Sequence, residues 1–493
     1  MRVQSATLRR FGNVNKILKN SFWIAICNVL DVVCSFFLYM YISRTIGVSN
    51  LGKYSYIASI VNYFVLLSGL GISSYAIREG TLRRNDKRSF NEFISEIFSL
   101  NVIFTFLSYL LFVCVAVVFK SALNNHMILL VIYSITIMCV PFDMEWMYSI
   151  AEDFELVAIR SVLVNLVNFI FVLLFVRNEN DIIKYVLIMT VLRVLITTYN
   201  YVHARKIVRF HLSFDLKELK KHLMSVSIIF FTTITINLYA KSDITLLGIM
   251  TTDYDVGLYS NAVKIYSIID SFIASLAIAS YPRIASQSGN EAYQKKVSGM
   301  IMDLSLFIVL PIATGLFFLS KEVILIVSGK NYLGAKPSLE LLSIALIINI
   351  LNWFWTRCII FPHKLEMKML IIAVVAGVSN VVLNILVIPY FGIVGAAITT
   401  IIAELITTIG YNFVGIKYLD RVDFIFLINI VLGCIGEGGA ILFVKKMIES
   451  YLYVPLSIMA GATIYLAICG LAMIKKFEKL KVESRCNIDD NKN

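Results

Sequence analysis

Fourteen apolar stretches follow one another along the chain, each long enough to cross a bilayer and nearly all joined by short polar breaks. They cover approximately 21–43, 52–77, 93–119, 127–150, 156–176, 184–202, 224–250, 258–281, 298–320, 338–361, 369–388, 395–416, 424–444 and 455–474. A hydrocarbon core about 30 Å thick takes about 20 helical residues per crossing. The stretches are apolar on all sides and rich in Ile, Leu, Val and Phe, whereas lipid-facing barrel strands alternate with period two. The pattern predicts an all-α integral membrane protein of about 14 transmembrane helices with no room for a soluble domain.

Composition agrees. Hydrophobic residues make up 59% of 493 and charged residues 15%, against about 25% charged in an ordinary globule. Lys and Arg favour the cytoplasmic side of short loops. With the N-terminus inside, and Lys53, Arg160 and Lys184 near span ends counted with the adjoining loops, 30 of the 44 Lys and Arg fall in inner segments, 10 in outer segments and four within spans. Both termini are therefore expected in the cytoplasm, and the net charge of +12 is explained without any nucleic acid. The first stretch is too long for a signal h-region and lacks a small-x-small exit, so it reads as a retained helix. Seven of the eight cysteines fall in spans and read as small apolar fillers. The five histidines fall between spans, without metal-ligand spacing.

An internal repeat organises the chain. Val48-Ser-Asn-Leu-Gly52-Lys-Tyr54-Ser55 after the first span matches Asp255-Val-Gly257-Leu-Tyr259-Ser260 after the seventh, and the following helices end in Tyr75-Ala-Ile-Arg78 and Tyr281-Pro-Arg283. The offset is about 205 residues, or six helices, so the repeat is parallel. This predicts an N-terminal lobe over 1–202, a basic linker over 203–223, a C-terminal lobe over 224–416, and two further helices with a basic tail over 417–493. Two six-helix lobes facing each other would form a central cleft suited to alternating access. Within the linker, 213–223 reads as a capped amphipathic helix on the inner surface, with Leu216, Leu219 and Leu223 on one face.

Charges inside spans are costly and mark wet cavities or partners. The first lobe has Asp31, Asp143, Glu145 and Arg193, and the second has Lys241, Asp243, Lys264, Asp270, Arg357 and Glu404. Arg193, Lys241, Lys264 and Arg357 would suit an anionic head group. Asp31, Asp143, Glu145, Asp243 and Glu404 could hold a coupling cation. Lys264 and Asp243 match in depth at roughly 9–10 Å from the outer ends of their helices, so a structural ion pair is the alternative for them. Arg357 could instead snorkel beside Trp353 and Trp355. Pro141 should kink the fourth helix just before Asp143. Glu437 reads as peripheral. The glycine-rich run Gly433–Gly439 sits inside a span, where close helix packing explains it better than phosphate binding.

Four segments together carry a resemblance. They are Arg44-x-x-Gly47-x-x-x-x-Gly52-x-Tyr54 with Gly69-Leu-Gly71 and Ile77-Arg78-Glu79; Lys241-Ser-Asp243-x-x-x-Leu-Gly248 running to Val256-Gly-Leu-Tyr-Ser260; Tyr281-Pro-Arg283; and Asn384-x-x-x-Ile388-Pro-Tyr-x-Gly392-Ile-Val-Gly-Ala-Ala397. In order and spacing they resemble the Wzx-type O-antigen flippases, polysaccharide-transport members of the MATE-like MOP superfamily. The resemblance implies a transporter of the bacterial inner membrane, not an enzyme. Its substrate would be an undecaprenyl-pyrophosphate-linked oligosaccharide repeat unit, moved from the cytoplasmic to the periplasmic leaflet with H+ or Na+ as coupling ion. Polysaccharide polymerase and chain-length regulator proteins would be its partners. By motif it marks Asp243 and Lys241, and by family pattern Arg44 and Arg78. The competing expectations are a multidrug or cation antiporter of the same fold, and a membrane polymerase or ligase. The latter is disfavoured because no outer loop exceeds about 17 residues and none offers paired carboxylates or a nucleophile with its base.

Overall fold

The structure, a computed structural model, describes residues 2–490 apart from 153, 214, 279–290, 420–423 and 449–451; side chains of 2–29, 31, 231–241, 291–294, 474–490 and some single positions also lie outside the described set. Every regular element among the described residues is helical. In chain order the principal helices are α1 (Arg2–Gly69), α2 (Ile72–Arg83), α3 (Lys87–Val118), α4 (Met127–Met138), α5 (Glu145–Ala151), α6 (Phe154–Phe175), α7 (Ile182–Ile207) and α8 (Leu216–Met250). They continue with α9 (Asp253–Ile278), α10 (Glu291–Phe318), α11 (Ser320–Val327), α12 (Lys336–Phe354), α13 (Glu366–Gly415), α14 (Phe424–Met447) and α15 (Tyr453–Asp490).

Among the described residues nine helical runs are long and apolar enough to cross a membrane. Two of them, Val32–Arg83 and Glu366–Tyr418, each hold two of the expected spans. The helical backbone breaks at Gly47 (φ 76°, ψ 169°) and at Gly392 (φ 51°, ψ −131°). Both conformations are strained for any residue with a Cβ, so glycine lets one span follow another with almost no loop.

Two expectations about the spans need correction. The span over 52–77 is interrupted at Leu70 (φ 44°) and Gly71 (φ 69°), and α2 starts afresh at Ile72. The amphipathic stretch over 213–223 is not a separate surface helix. Asp215 caps it by accepting from the Lys217 amide, and it runs unbroken into the seventh span as α8. Nothing between Leu223 and Met224 breaks the helical hydrogen-bond ladder. Leu219, Leu223 and Val226 pack into a core with Phe93, Phe98 and Trp146, so protein rather than lipid covers that face.

The chain packs as two compact units, one of Met1–Ser260 with Asn384–Gly392, the other of Asn261–Leu383 with Ile393–Asn493. The core of the first gathers residues from α2, α3, α5 and α8. The core of the second gathers residues from α10, α13, α14 and α15 around Phe354, Trp355 and Ile359.

Candidate functional site

The break at Pro141 positions the first cluster. α4 ends at Met138, a short 3-10 turn follows over Val140–Phe142, and Asp143 leaves it with a non-helical backbone (φ −81°, ψ 77°). Its carboxylate faces α7, where Arg193 Nη2 donates to Oδ2 at 2.6 Å and Asn200 Nδ2 donates to Oδ1 at 3.2 Å. Arg160 on α6 donates to the Asn200 carbonyl, pairs with Glu145 at 3.0 Å, and lies over the Tyr148 ring. The proline kink has thus drawn two cations and two acids from three helices and the turn at Asp143 into one network whose charges balance. Arg193 has no acid on its own helix face; its partner comes from the turn between α4 and α5. Beside this network Tyr54 meets Tyr133 and Tyr185 edge to face, at centroid distances of 5.8 and 5.0 Å.

The second cluster centres on Asp243, buried at 6% exposure. Tyr259 on α9 donates its hydroxyl to Oδ2 at 2.8 Å, and Asn384 on α13 donates to Oδ1 at 2.6 Å. Two residues along, Thr245 reaches Ser59 at 2.8 Å and Tyr63 at 3.1 Å on α1. Asp243, Tyr259 and Asn384 come from two of the four sequence segments singled out above, and all belong to the first compact unit. Sequence reasoning marked only Asp243. Tyr259 and Asn384 were visible as motif positions, but nothing along the chain said that they converge.

A third feature closes the expected outer end of this unit. A Cβ on Gly52 would overlap the Asp253 carbonyl and stand 2.8 Å from the Gly257 nitrogen, and a Cβ on Gly257 would overlap the Val48 carbonyl. His126 Nε2 donates to Asp253 Oδ1 at 2.8 Å across the same seam, with Tyr56 edge-on to the imidazole.

In the second unit, Asn349 and Asn352 sit one turn apart on α12. Asn349 donates to Asp270 at 2.8 Å. Asn352 donates to the buried Glu404 and accepts from Thr408 at 2.7 Å. Glu404 therefore belongs to a polar ladder joining α12 to α13. Lys264 is half-buried and enters no ion pair among the described residues of its unit. Arg357 lies in a π-helical turn over Trp355–Ile360, with its guanidinium 5.0 Å from the Trp353 ring centre and 5.5 Å from Phe361. That geometry is a cation–π contact with two neighbouring rings.

Arg44 is exposed near the Gly47 break. Arg78 is exposed on α2, close to Glu79 and over Tyr75. The side chains of Asp31 and Lys241, and all of Tyr281-Pro-Arg283, lie outside the described residues. Among the described residues no group of three or more His, Cys, Asp or Glu side chains converges as a metal site would.

Two sequence readings change here. His203 and His222 lie in helices, not in loops. His222, 4% exposed, donates from Nε2 to Glu96 at 2.7 Å and meets the Tyr75 hydroxyl through Nδ1 at 2.7 Å. This Tyr–His–Glu relay pins the start of α8 to α2 and α3. Glu437 is buried and not peripheral. The glycine run around it does pack helices: Gly433 meets Tyr465 and Cys469, Gly436 meets Ile464, and Gly438 meets Phe318.

Residues 17–288 match the family described as "Polysaccharide biosynthesis protein". A capsular polysaccharide biosynthesis protein of Staphylococcus aureus, CapF, is 22% identical over 408 residues, which is 80% of this chain and 98% of that one. A protein of Escherichia coli K12 provisionally named an O-antigen transporter is 22% identical over 417 residues, 80% of this chain and 96% of the other. Among solved structures, the lipid II flippase MurJ in an inward closed conformation superposes with a TM-score of 0.79 at 17% identity, covering 92% of this chain and 99% of that chain. At that identity the likeness is one of fold.

Proposed function

The chain belongs to the polysaccharide biosynthesis protein family, and we propose that within it this protein is a flippase for a lipid-linked oligosaccharide repeat unit. The unit passes from the cytoplasmic to the periplasmic leaflet of a bacterial inner membrane by alternating access. The observation that carries the reading is the span of the likeness: a capsular polysaccharide protein and a named O-antigen transporter match over nearly their whole lengths. The many apolar helices agree with a multi-pass transporter.

The geometry supports specific roles. An anionic head group competes with Asp143 for the Arg193 guanidinium; when it wins, Asp143 keeps the Asn200 amide. Asp243 is the coupling acid. Tyr259 and Asn384 hold its carboxylate in place, where it can take up H+ or Na+. The Gly52–Gly257 seam must part for a saccharide to leave on the outer side.

The test is deletion of the gene in its host, with surface polysaccharide and lipid-linked oligosaccharide measured leaflet by leaflet. Repeat units held on the cytoplasmic side, with surface polymer lost, are expected. Normal surface polymer with altered drug or cation sensitivity would replace the flippase with an antiporter.

A further inference from the structure

The two helices outside the sequence repeat, α14 and α15, pair antiparallel, and glycines set their separation. A Cβ on Gly433 would come within 2.9 Å of Tyr465, one on Gly436 within 3.0 Å of Ile464, and one on Gly461 within 3.0 Å of the Glu437 Cγ. Glu437 on α14 therefore faces Gly461 on α15. On its other side stands α10, where a Cβ on Gly315 would lie 3.5 Å from Glu437 Oε1. The carboxyl occupies a slot between three helices, at positions where two of them carry no side chain.

That slot offers the carboxyl no counter-charge. Glu437 is 6% exposed, and its Oε2 is buried without a hydrogen-bond partner. The titratable groups around it are Cys434 on its own helix, which lies against Thr314 of α10, and Tyr465 and Cys469 on α15. No Lys, Arg or His pairs with it among the described residues. One turn from Gly461 along α15, the Ser457 hydroxyl is also buried without a partner. A bare carboxylate in such surroundings costs several kcal/mol, whereas a carboxylic acid costs far less.

We propose that Glu437 is a proton-binding site that clamps the helix pair α14–α15 to α10. With the proton in place the neutral head group fits between Gly315 and Gly461, and the three helices stay in contact. When the proton leaves to water, the remaining charge can be hydrated only if the slot opens, so α14 and α15 loosen from α10. The site uses none of the residues of the Asp243 and Arg193 clusters and does not depend on what the protein carries.

The experiment is infrared spectroscopy of the full-length protein in lipid nanodiscs, wild type against Glu437→Gln and Glu437→Asp. At neutral pH the wild type should show the carbonyl band of a protonated carboxyl. Glu437→Gln should lose the band, Glu437→Asp should shift it, and raising the pH should bleach it. In the same titration, Cys434 and Cys469 of the wild type should become more reactive to a membrane-permeant maleimide than the same thiols in Glu437→Gln. If wild type and Glu437→Gln share the same carboxyl bands at neutral pH, Glu437 is ionised and the site does not exist. If the band behaves as expected but the thiols react equally in both proteins, the proton is bound and the clamp is wrong. Glu437→Asp supplies the comparison should Glu437→Gln fail to fold.

Discussion

Gly52 and Gly257 occupy equivalent places in the two copies of the internal repeat and lie against each other. Each faces the backbone of the other's turn, Gly52 at Asp253 and Gly257 at Val48. With the offset of about 205 residues, Val48 corresponds to Asp253 as Gly52 does to Gly257. The contact is therefore reciprocal, a pseudo-twofold seam in which each glycine clears the carbonyl four residues before its counterpart.

A methyl group at either position has to push a backbone carbonyl aside, a cost of about 1–3 kcal/mol by analogy with overpacked cores. Gly52→Ala and Gly257→Ala should each hold the seam apart, with transport falling steeply at unchanged abundance in the membrane. Gly439→Ala, which meets nothing within 4 Å, is the matched control. A seam-opening effect is read as faster labelling of a cysteine placed at Ser55; labelling no faster than in the control would show that the seam accommodates the methyl.

Asp143 and Arg193 should couple. Asp143→Asn leaves the guanidinium without its acid, and Arg193→Gln does the reverse, whereas the double substitution removes both charges. Neighbours in one network typically show interaction energies of about 0.5–3 kcal/mol. Thermal unfolding of the four purified proteins measures the cycle, and strictly additive losses would rule out the pair as an energetic unit. Arg193→Gln alone should abolish export while the protein still inserts.

The Asp243 cluster predicts graded losses. Tyr259→Phe removes a hydrogen bond to a carboxylate, about 1.5–3 kcal/mol, and should slow export without abolishing it. Asp243→Asn removes the charge and should abolish export. Export rates in cells matched for protein level make the comparison. Equal rates for wild type and Asp243→Asn would remove this residue from the mechanism.

Glu322 gives a pH dependence outside the spans. Burial alone would push its carboxyl up. The Lys445 ammonium at 2.7 Å and the Tyr453 hydroxyl at 2.9 Å outweigh that and hold it below the ordinary glutamate range. A carboxyl depressed by folding adds stability above its unfolded value, and that stability is lost as pH falls through the folded value. The wild type should therefore lose thermal stability below about pH 4.3, the ordinary glutamate value, more steeply than Glu322→Gln does. Lys445→Ala leaves a buried acid alone and should cost about 3 kcal/mol at neutral pH. Parallel acid limbs for wild type and Glu322→Gln would remove the brace from the account.

His222→Ala should free the inner end of α8, since it leaves the buried Tyr75 hydroxyl and the part-buried Glu96 carboxylate without their partner, at about 1–3 kcal/mol. Hydrogen exchange at the start of α8 reads the release. Protection equal to the wild type there would mean that Leu219 and Val226 hold the helix unaided.

The sequence alone determined that this chain crosses a membrane many times, because continuous apolar runs have no other place to go, and where one span follows another, because Gly47 and Gly392 permit a backbone that other residues resist. It also marked Asp143 and Asp243, since an acid in a span is costly wherever it points. Tertiary structure decided what each charge faces. Arg193 meets Asp143 across 50 residues, Asp243 meets Asn384 across 141, and His222 meets Glu96 across 126. Helical periodicity reaches only three or four residues along a face, so a partner on another helix leaves no trace in spacing. The same limit made Glu437 look peripheral: a glycine-rich helix says that something comes close, and only the packing of α10 and α15 says what.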